Sequence, residues 1–469
     1  MKKFISNKED TLLKAMEVIN KNQHGVTFVV DINNKLCGVI TDGDIRRALL
    51  DNYKLDSKIN KIMKDDFIFA YEGDSIKEKL DMCNRITPIV NRKMEIIDYF
   101  EYKHRLHFPI TEPDLIGNEY KYLTDAFLSS FISSGGEYVN KFERNFSKYI
   151  SKKYGVSTSN GTTALHLALL ALDIKEGDEV IVPDLTFAAT INAVLHAKAT
   201  PVIVDIEKDS WCISPDEIQK AITLKTKAII PVHIYGQPCD MDSIMNLAKI
   251  NNLYVIEDCA EAHGAKYKNK KVGSFGDISC FSFFGNKILT TGEGGMCLTD
   301  SDFLNERMRV LRDHGMSKSK KYWHDMIGYN YRLTNIQAAV GFAQLEKIEL
   351  VLKNREKYES MYRSVLKCVN GIKFQENNLK HRKKVTWLVP VILEDEKRMK
   401  VLVNKLKGLG LESRPFFYPL SMMEIYKKYT FSNKESLRLS GMGLLLPVYS
   451  NLSRLDNIRM KLINFNNIK

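Results

Sequence analysis

The run CFSFFGNKILTTGEGGM, residues 280–296, sets one lysine, Lys287, between an aromatic stretch and a glycine-rich turn. A lysine in such a place either snorkels to the surface, as most do, or is held poorly solvated, where it can act as an amine nucleophile. Three other segments carry groups that would serve such an amine. STSNGTTALHLAL, 157–169, leads a polar stretch into a helix, so free backbone N–H groups and the positive end of the helix dipole meet at a point suited to phosphate. An ordinary helix cap uses the same residue types. LYVIEDCAEAHGA, 253–265, ends a buried-looking strand in Glu257 and Asp258, where a carboxylate caps the next helix or keeps a ring nitrogen protonated. PDLTFAATINAV, 183–194, puts Phe187 after a strand, as core or as a stacking face for a flat ring.

These groups need a common edge. DEVIVP, TPVIVDI, KAIIPVHI and LYVIED are short β-rich runs ending at polar or turn residues, and they alternate with helical patterns such as FERNFSKYISKKY and TALHLALLAL. The alternation predicts a largely parallel α/β sheet, and ligands of such sheets gather beyond the carboxyl ends of the strands. The run NIQAAVGFAQLEKIELVLKNREKYESMYRSVL reads as one long amphipathic helix. After it a smaller α+β domain is expected, with KVTWLVPVIL a strand and KRMKVLVNKLKGLG a helix ending in glycine. At the shared sheet edge Ser282 stands near Lys287. A phosphate site, a ring-nitrogen carboxylate, a stacking aromatic and an amine together describe pyridoxal phosphate binding.

The bulk composition narrows the alternatives. The 469 residues are 44% hydrophobic and 27% charged, enough for two or three globular domains. No apolar run is long enough for a membrane span, and MKKFISNKED turns acidic and polar too early for a secretory leader. Eight scattered cysteines include no C-x-x-C pair, so a zinc site and a disulfide framework are both unsupported and a cytoplasmic location is expected. The net charge of +12 favours anionic partners. The basic residues are dispersed and no nucleic-acid-binding motif occurs, so a phosphorylated small molecule is preferred to nucleic acid. No His, Cys or Asp grouping has metal-ligand spacing, and no metal is expected. His166 reads as a core histidine on an apolar helix, and His233, His263 and His314 as loop or strand-end residues.

From about residue 106 the chain resembles the DegT-type sugar aminotransferases, fold-type I pyridoxal-phosphate enzymes that aminate nucleotide-linked keto-sugars. The resemblance rests on ISSGGEYVNKFE, SNGTTALHLAL, PDLTFAATINAV, PVHIYGQPCDM, IEDCAEAHGA, FSFFGNKILTTGEGG, RDHGM, GYNYRLTNIQAA and ESRPFFYPL, in the family's order. Within the family, EDCAEAHGA and SFFGNK look most like the GDP-perosamine synthase branch. The resemblance implies an aspartate-aminotransferase-like large domain over 106–350 and a small C-terminal domain over 351–469. It implies that Lys287 joins pyridoxal 5'-phosphate covalently and later carries a proton, and that Asp258 pairs with the ring nitrogen. Glu261, where many relatives carry Gln, would lie beside the ring hydroxyl, and Phe187 would cover a ring face. Thr162, Thr163 and Ser282 would hold the phosphate, and Asn330 would reach it from a neighbouring subunit, making a homodimer with shared active sites. Arg414 and His314 fall where the family shapes its substrate site. YPLSMMEIY after Arg414 departs from the branch, which touches the sugar pocket and not the chemistry. The implied reaction moves an amino group from L-glutamate to C4 of a GDP-linked 4-keto-6-deoxy sugar, for cell-surface polysaccharide. The same chemistry on a UDP- or dTDP-linked sugar is the alternative. A nucleotide-sensing binding protein with an inactive aminotransferase half is the rival of another class.

Residues 1–105 differ in character. Val26 to Val30, a turn, Leu36 to Ile40 and a helix-like 44–50 are echoed by ITPIV, NRKM and EIIDYFEY, a repeat of roughly fifty residues forming an α+β pair. GVITDGDIRRALL resembles the end of a cystathionine-β-synthase (CBS) motif. There Thr41 and Asp44 would meet phosphate and ribose of an adenine nucleotide, while the second repeat lacks the matching Gly and Thr. A ligand-free docking module is the other reading.

Overall fold

The computed structural model describes residues 2–22, 24–74, 86–101, 108–317, 319–367 and 369–466. The expected polar joint lies partly outside them, as do Cys83 and Cys368. The chain divides into two compact units, Met1–Arg105 and Leu106–Lys469.

In the first unit β1 (Ile5–Asn7) pairs in parallel with β2 (Val26–Val30), which pairs antiparallel with β3 (Leu36–Thr41). The helix α1 (Leu12–Asn22) buries Leu12, Ala15 and Ile19, a single stripe at helical spacing. Thr41 caps α2 (Asp42–Leu50) in a reciprocal capping box with Asp44. A second sheet repeats the first: β4 (Ala70–Tyr71) is parallel to β5 (Ile86–Val90), which is antiparallel to β6 (Ile96–Glu101). Both hairpins carry the same register irregularity, pairing Val30 with Leu36 and Val90 with Ile96, and both turns hold a left-handed residue, Asn34 or Met94. The repeat is therefore offset by 60 residues, where the sequence suggested about fifty. Phe4, Phe28, Leu36, Ile86 and Val90 share one core cluster, so each repeat covers the other's apolar face.

The second unit is built on seven strands in the order β7 (Tyr154–Thr158), β13 (Gly295–Thr299), β12 (Ile278–Ser282), β11 (Tyr254–Asp258), β10 (Thr226–Ile229), β8 (Glu179–Pro183) and β9 (Thr200–Val204). Only β13 runs antiparallel to its neighbours. β12 and β13 are buried along their whole length, as expected of central strands covered on both faces. α3 (Glu119–Leu128) buries Ala126 in the cluster where α4 (Glu137–Ile150) packs Phe142 and Phe146 on one face of the sheet; α5 (Gly161–Ala171) packs Leu165, Leu167 and Leu169, and α6 (Asp302–Arg312) Leu304 and Met308, in the cluster on the other.

The long helix expected after residue 335 is two helices, α7 (Asn335–Glu346) and α8 (Ile348–Leu366). The chain bends at Lys347 (φ −111°), whose Nζ leaves the helix surface to pair with Glu119 and to donate to the carbonyl of Asp114. Beyond α8 lies an antiparallel sheet in the order β14 (Lys373–Phe374), β15 (Val389–Ile392), β17 (Gly443–Leu446), β16 (Arg414–Pro415), covered by α9 (Glu396–Gly408). Of KVTWLVPVIL only the second half is strand. The first half bonds elsewhere: Thr386 Oγ1 donates to Glu359, and the Val385 N–H donates to the carbonyl of Gly236 at 3.1 Å. A Cβ on Gly236 (φ +87°) would lie 2.0 Å from the Val385 oxygen, so only glycine allows that approach. Tyr358, Trp387 and Val391 share one core with Ile181, Val204 and Tyr235, which fixes this half against the large sheet. Among the described residues no helix is long and apolar enough to cross a membrane.

Candidate active site

A cavity of about 630 Å³ opens beyond the carboxyl ends of β7, β8, β11 and β12. Asn160, Gly161, Thr162 and Thr163 enter it at the start of α5, Phe187 from the loop after β8 and Thr190 from the helix that follows (Ala189–His196), Asp258 and Glu261 after β11, and Ser282, Asn286 and Lys287 after β12. Trp387, just before β15, Arg414 on β16 and Phe417 just after it close the cavity from the side of the smaller sheet.

At the start of α5 the Asn160 side chain accepts the Thr163 N–H at 2.9 Å, and the Thr163 hydroxyl donates to the Asn160 carbonyl at 2.8 Å. Thr163 is thus spent on the cap, whereas no hydrogen bond of the Thr162 hydroxyl is found among the described residues. Gly161 lies against Ser282, where a Cβ would come within 2.7 Å of the serine Cβ. The helix N-terminus and the end of β12 are therefore in direct contact, and both face the cavity.

Asp258 is buried at the end of β11. Its Oδ2 accepts from Thr190 Oγ1 at 2.9 Å and its Oδ1 from the Ala260 N–H at 3.2 Å. Among the described residues it has no ion pair, and burial raises its carboxyl above the usual range despite those two hydrogen bonds. Glu261 Oε2 accepts the N–H of Tyr235 at 2.9 Å, and its Oε1 lies 3.3 Å from Lys287 Nζ. Burial raises this carboxyl too, with Lys287 opposing the shift. Tyr235 itself adopts a left-handed conformation (φ 53°). The Lys287 side chain is 13% exposed and its Nζ lies 4.3 Å from the centre of the Trp387 ring. The amine thus faces the cavity and does not snorkel into solvent.

The residues singled out in sequence separate cleanly. Lys287, Asp258, Glu261, Thr162, Thr163, Ser282, Phe187 and Arg414 all line the cavity. Phe187 is 60% exposed at the rim, 5.6 Å from the ring of Phe417, and Arg414 donates to Glu412 at 3.1 Å. His314 and Asn330 lie outside the cavity, both bonded to Arg332. His166 is only half satisfied among the described residues: Nδ1 meets the Tyr331 hydroxyl at 3.0 Å, the buried Nε2 has no partner among them, and burial pushes the imidazole down to about 4. His233, Glu257 and Cys259 bring ligand-type atoms within 4.8 Å of one another, a grouping the sequence spacing did not reveal. Glu257 there already accepts N–H groups of Gly273, Phe275 and Gly276 besides His233, so its oxygens are occupied. In the first unit, Thr41 Oγ1 bonds Asp44 Oδ2 at 2.6 Å, and Asp44 Oδ1 pairs with Arg47 and Lys64. Burial alone would raise the Asp44 carboxyl, but the bonds from Thr41, Arg47 and Lys64 outweigh it and hold it low.

Thr190, Tyr235, Asn286 and Trp387 were not read as site residues. Thr190, three residues beyond Phe187, could have been found from helical spacing at the strand end. Asn286 stands beside Lys287 in SFFGNK, whereas Tyr235 and Trp387 meet Glu261 and Lys287 only through tertiary contacts.

Residues 113–460 match the model of the DegT/DnrJ/EryC1/StrS aminotransferase family, and residues 6–51 match the CBS domain. The chain is 44% identical over 347 residues to GDP-perosamine synthase of Escherichia coli O157:H7, covering 74% of this chain and 94% of that protein. It is 42% identical over 352 residues to GDP-perosamine synthase of Vibrio cholerae, covering 73% and 94%. Among solved structures it resembles the PLP-form of the putative sugar aminotransferase Spr1654 from Streptococcus pneumoniae, with TM-score 0.71, 27% identity and coverage of 77% and 99%. Matched along most of its length, with the match spanning every residue that lines the cavity, the chain belongs to the DegT/DnrJ/EryC1/StrS aminotransferase family.

Proposed function

We propose that this aminotransferase moves an amino group from L-glutamate to C4 of a GDP-linked 4-keto-6-deoxy sugar, with pyridoxal phosphate in the cavity described above. The observation that carries the proposal is the Lys287 amine facing the same cavity as the buried Asp258 carboxylate and the N-terminus of α5. The donor set fits the cofactor. Asp258 is a buried carboxylate with no ion pair among the described residues, which suits a protonated ring nitrogen. Thr162, Ser282 and the N–H groups opening α5 suit a phosphate. Phe187 supplies an aromatic face. The 42–44% identity to two GDP-perosamine synthases supports the GDP-linked sugar.

When bound, pyridoxal phosphate supplies an electron sink for the pair left on the donor carbon. The protein's groups do the rest. Lys287 holds the cofactor and then carries a proton from one carbon to another across the cavity, a task for a positioned amine. Asp258 keeps a proton on the ring nitrogen, and Thr190 and Ala260 fix its oxygens in place for that task. Glu261, itself oriented by the Tyr235 N–H, holds the amine of Lys287 at the cavity wall. Arg414 at the rim offers a cation to the substrate's phosphates.

The same proposal includes a homodimer in which Asn330 completes the phosphate site of a second copy, supported by its position outside its own chain's cavity. It places the protein in the cytoplasm, in O-antigen or similar glycan synthesis, supported by six described cysteines that are all free. The front unit is read as a docking module and not an adenine-nucleotide sensor, because Thr41 and Asp44 are bonded to each other and to Arg47 and Lys64. The test is incubation of enzyme and glutamate with GDP-, UDP- and dTDP-linked 4-keto-6-deoxy sugars, read by product mass. An amino sugar from the GDP compound alone is expected. Turnover of only a UDP or dTDP compound overturns the GDP assignment, and turnover of none overturns the reaction.

A further inference from the structure

We propose that Trp387 is a positioning residue for Lys287, through which the smaller half of the second unit sets the place of the reactive amine. The inference rests on the reading of Lys287 given above. Trp387 is buried, and its indole Nε1–H donates to the carbonyl of Asn286, the residue before the lysine, at 2.8 Å. Its ring lies under Lys287 Nζ at 4.3 Å. One side chain thus grips both the backbone that carries the lysine and the amine at its end.

The indole is itself fixed. The Trp387 carbonyl accepts from Arg355 Nη1 at 2.7 Å, and the guanidinium of Arg355 is buried. The Trp387 ring lies nearly parallel to that of Tyr235, with centres 6.2 Å apart and planes at 10°. The backbone N–H of Tyr235 in turn holds Glu261, the carboxylate that lies 3.3 Å from the same amine. The two neighbours of Lys287 are therefore both tied to one aromatic pair, Trp387 as a member of it and Glu261 through the backbone of Tyr235. An aromatic face attracts the cation when the amine is protonated and shelters it from water when it is not. The indole N–H gives a buried carbonyl the partner it needs.

Two variants separate these contributions. Trp387→Phe keeps a ring face and loses the N–H, whereas Trp387→Leu loses both. The readouts on cofactor-loaded protein are the visible circular dichroism per bound cofactor, which reports its fixed orientation, and the single-turnover rate with glutamate alone. Displacing a reacting group by about 1 Å costs up to ~100-fold in rate. Trp387→Leu is therefore expected to lose at least about half of its visible dichroism and about tenfold or more in rate, with Trp387→Phe between it and the wild type. A purely structural role would lower the unfolding temperature and leave both signals at the wild-type level in Trp387→Leu; that result overturns the proposal. If Trp387→Leu does not fold, the Phe variant decides, and wild-type values for both signals in it overturn the proposal. Lys287→Ala, assayed separately, tests the underlying reading: full turnover there would overturn the reading itself, whatever Trp387 does.

Discussion

Gly161 and Ser282 touch so closely that the glycine has no room for a side chain: a Cβ would sit 2.7 Å from the serine Cβ and 3.3 Å from its Cα. The contact joins the first turn of α5 to the end of β12, the two elements offered to the cofactor's phosphate. Gly161→Ala must push them apart. The expected outcome is a cofactor dissociation constant raised about tenfold or more, the loss of roughly one charge-assisted hydrogen bond. Titration of the visible absorbance with added pyridoxal phosphate measures it, and unchanged affinity would show that the phosphate sits elsewhere.

Asp258→Asn removes the charge at the cavity floor and keeps a side chain whose Oδ1 can still accept the Ala260 N–H while its amide N–H donates to the Thr190 hydroxyl. Turnover is expected to fall about 100-fold or more, the usual scale for losing one preorganised electrostatic partner. Without cofactor the same variant should be the more stable protein at pH 7–8. Burial raises the Asp258 carboxyl in the folded state, so folding binds its proton more tightly than the unfolded chain does. Its favourable contribution is full below the ordinary carboxylate range and is lost as pH rises through the raised value. The stability gap between apo Asp258→Asn and apo wild type should therefore shrink on acidification, as followed by thermal unfolding at several pH values.

Glu261→Gln and Glu261→Ala should differ sharply. Glutamine can still accept the buried Tyr235 N–H, so Glu261→Gln keeps most of the turnover. Glu261→Ala leaves that N–H without its acceptor at a backbone position already in the left-handed region, at a cost of about 1–3 kcal/mol. Denaturant unfolding of the two variants measures the difference; equal stabilities would show that the Tyr235–Glu261 bond contributes nothing.

Asp44→Ala breaks the capping box of α2 and strips Arg47 and Lys64 of their shared carboxylate. The first unit should lose about 1 kcal/mol, the usual worth of a cap. AMP or ATP should leave the unfolding temperature of the wild type unchanged, because Thr41 and Asp44 already satisfy each other. A nucleotide-dependent rise that Asp44→Ala abolishes would instead make this unit a sensor.

The cavity's strand-end groups were legible because each announces itself locally. Asn160-Gly161-Thr162 opens a helix, Asp258 ends an apolar strand, and Lys287 precedes a glycine-rich turn. The alternation of strands and helices likewise carried the parallel sheet. What escaped was nonlocal. Trp387 looked like one more residue of a β-rich run, and its partner Asn286 lies 101 residues away. The break at Lys347 depends on Asp114 and Glu119, more than two hundred residues earlier, while the local pattern is helical throughout. The repeat in the first unit was visible but its period was not, because matching apolar runs fix similarity and only the paired registers fix the offset.

The backbone stitch between Gly236 and Val385 bears on how reactants come and go. It pins the segment carrying Trp387 to the turn carrying Tyr235 with no side chain in between, so a clamshell swing of one half against the other would have to break that bond. Traffic through this pocket therefore falls to the rim, where the Phe187 ring stands exposed while Phe417 packs back against Tyr235 and Trp387.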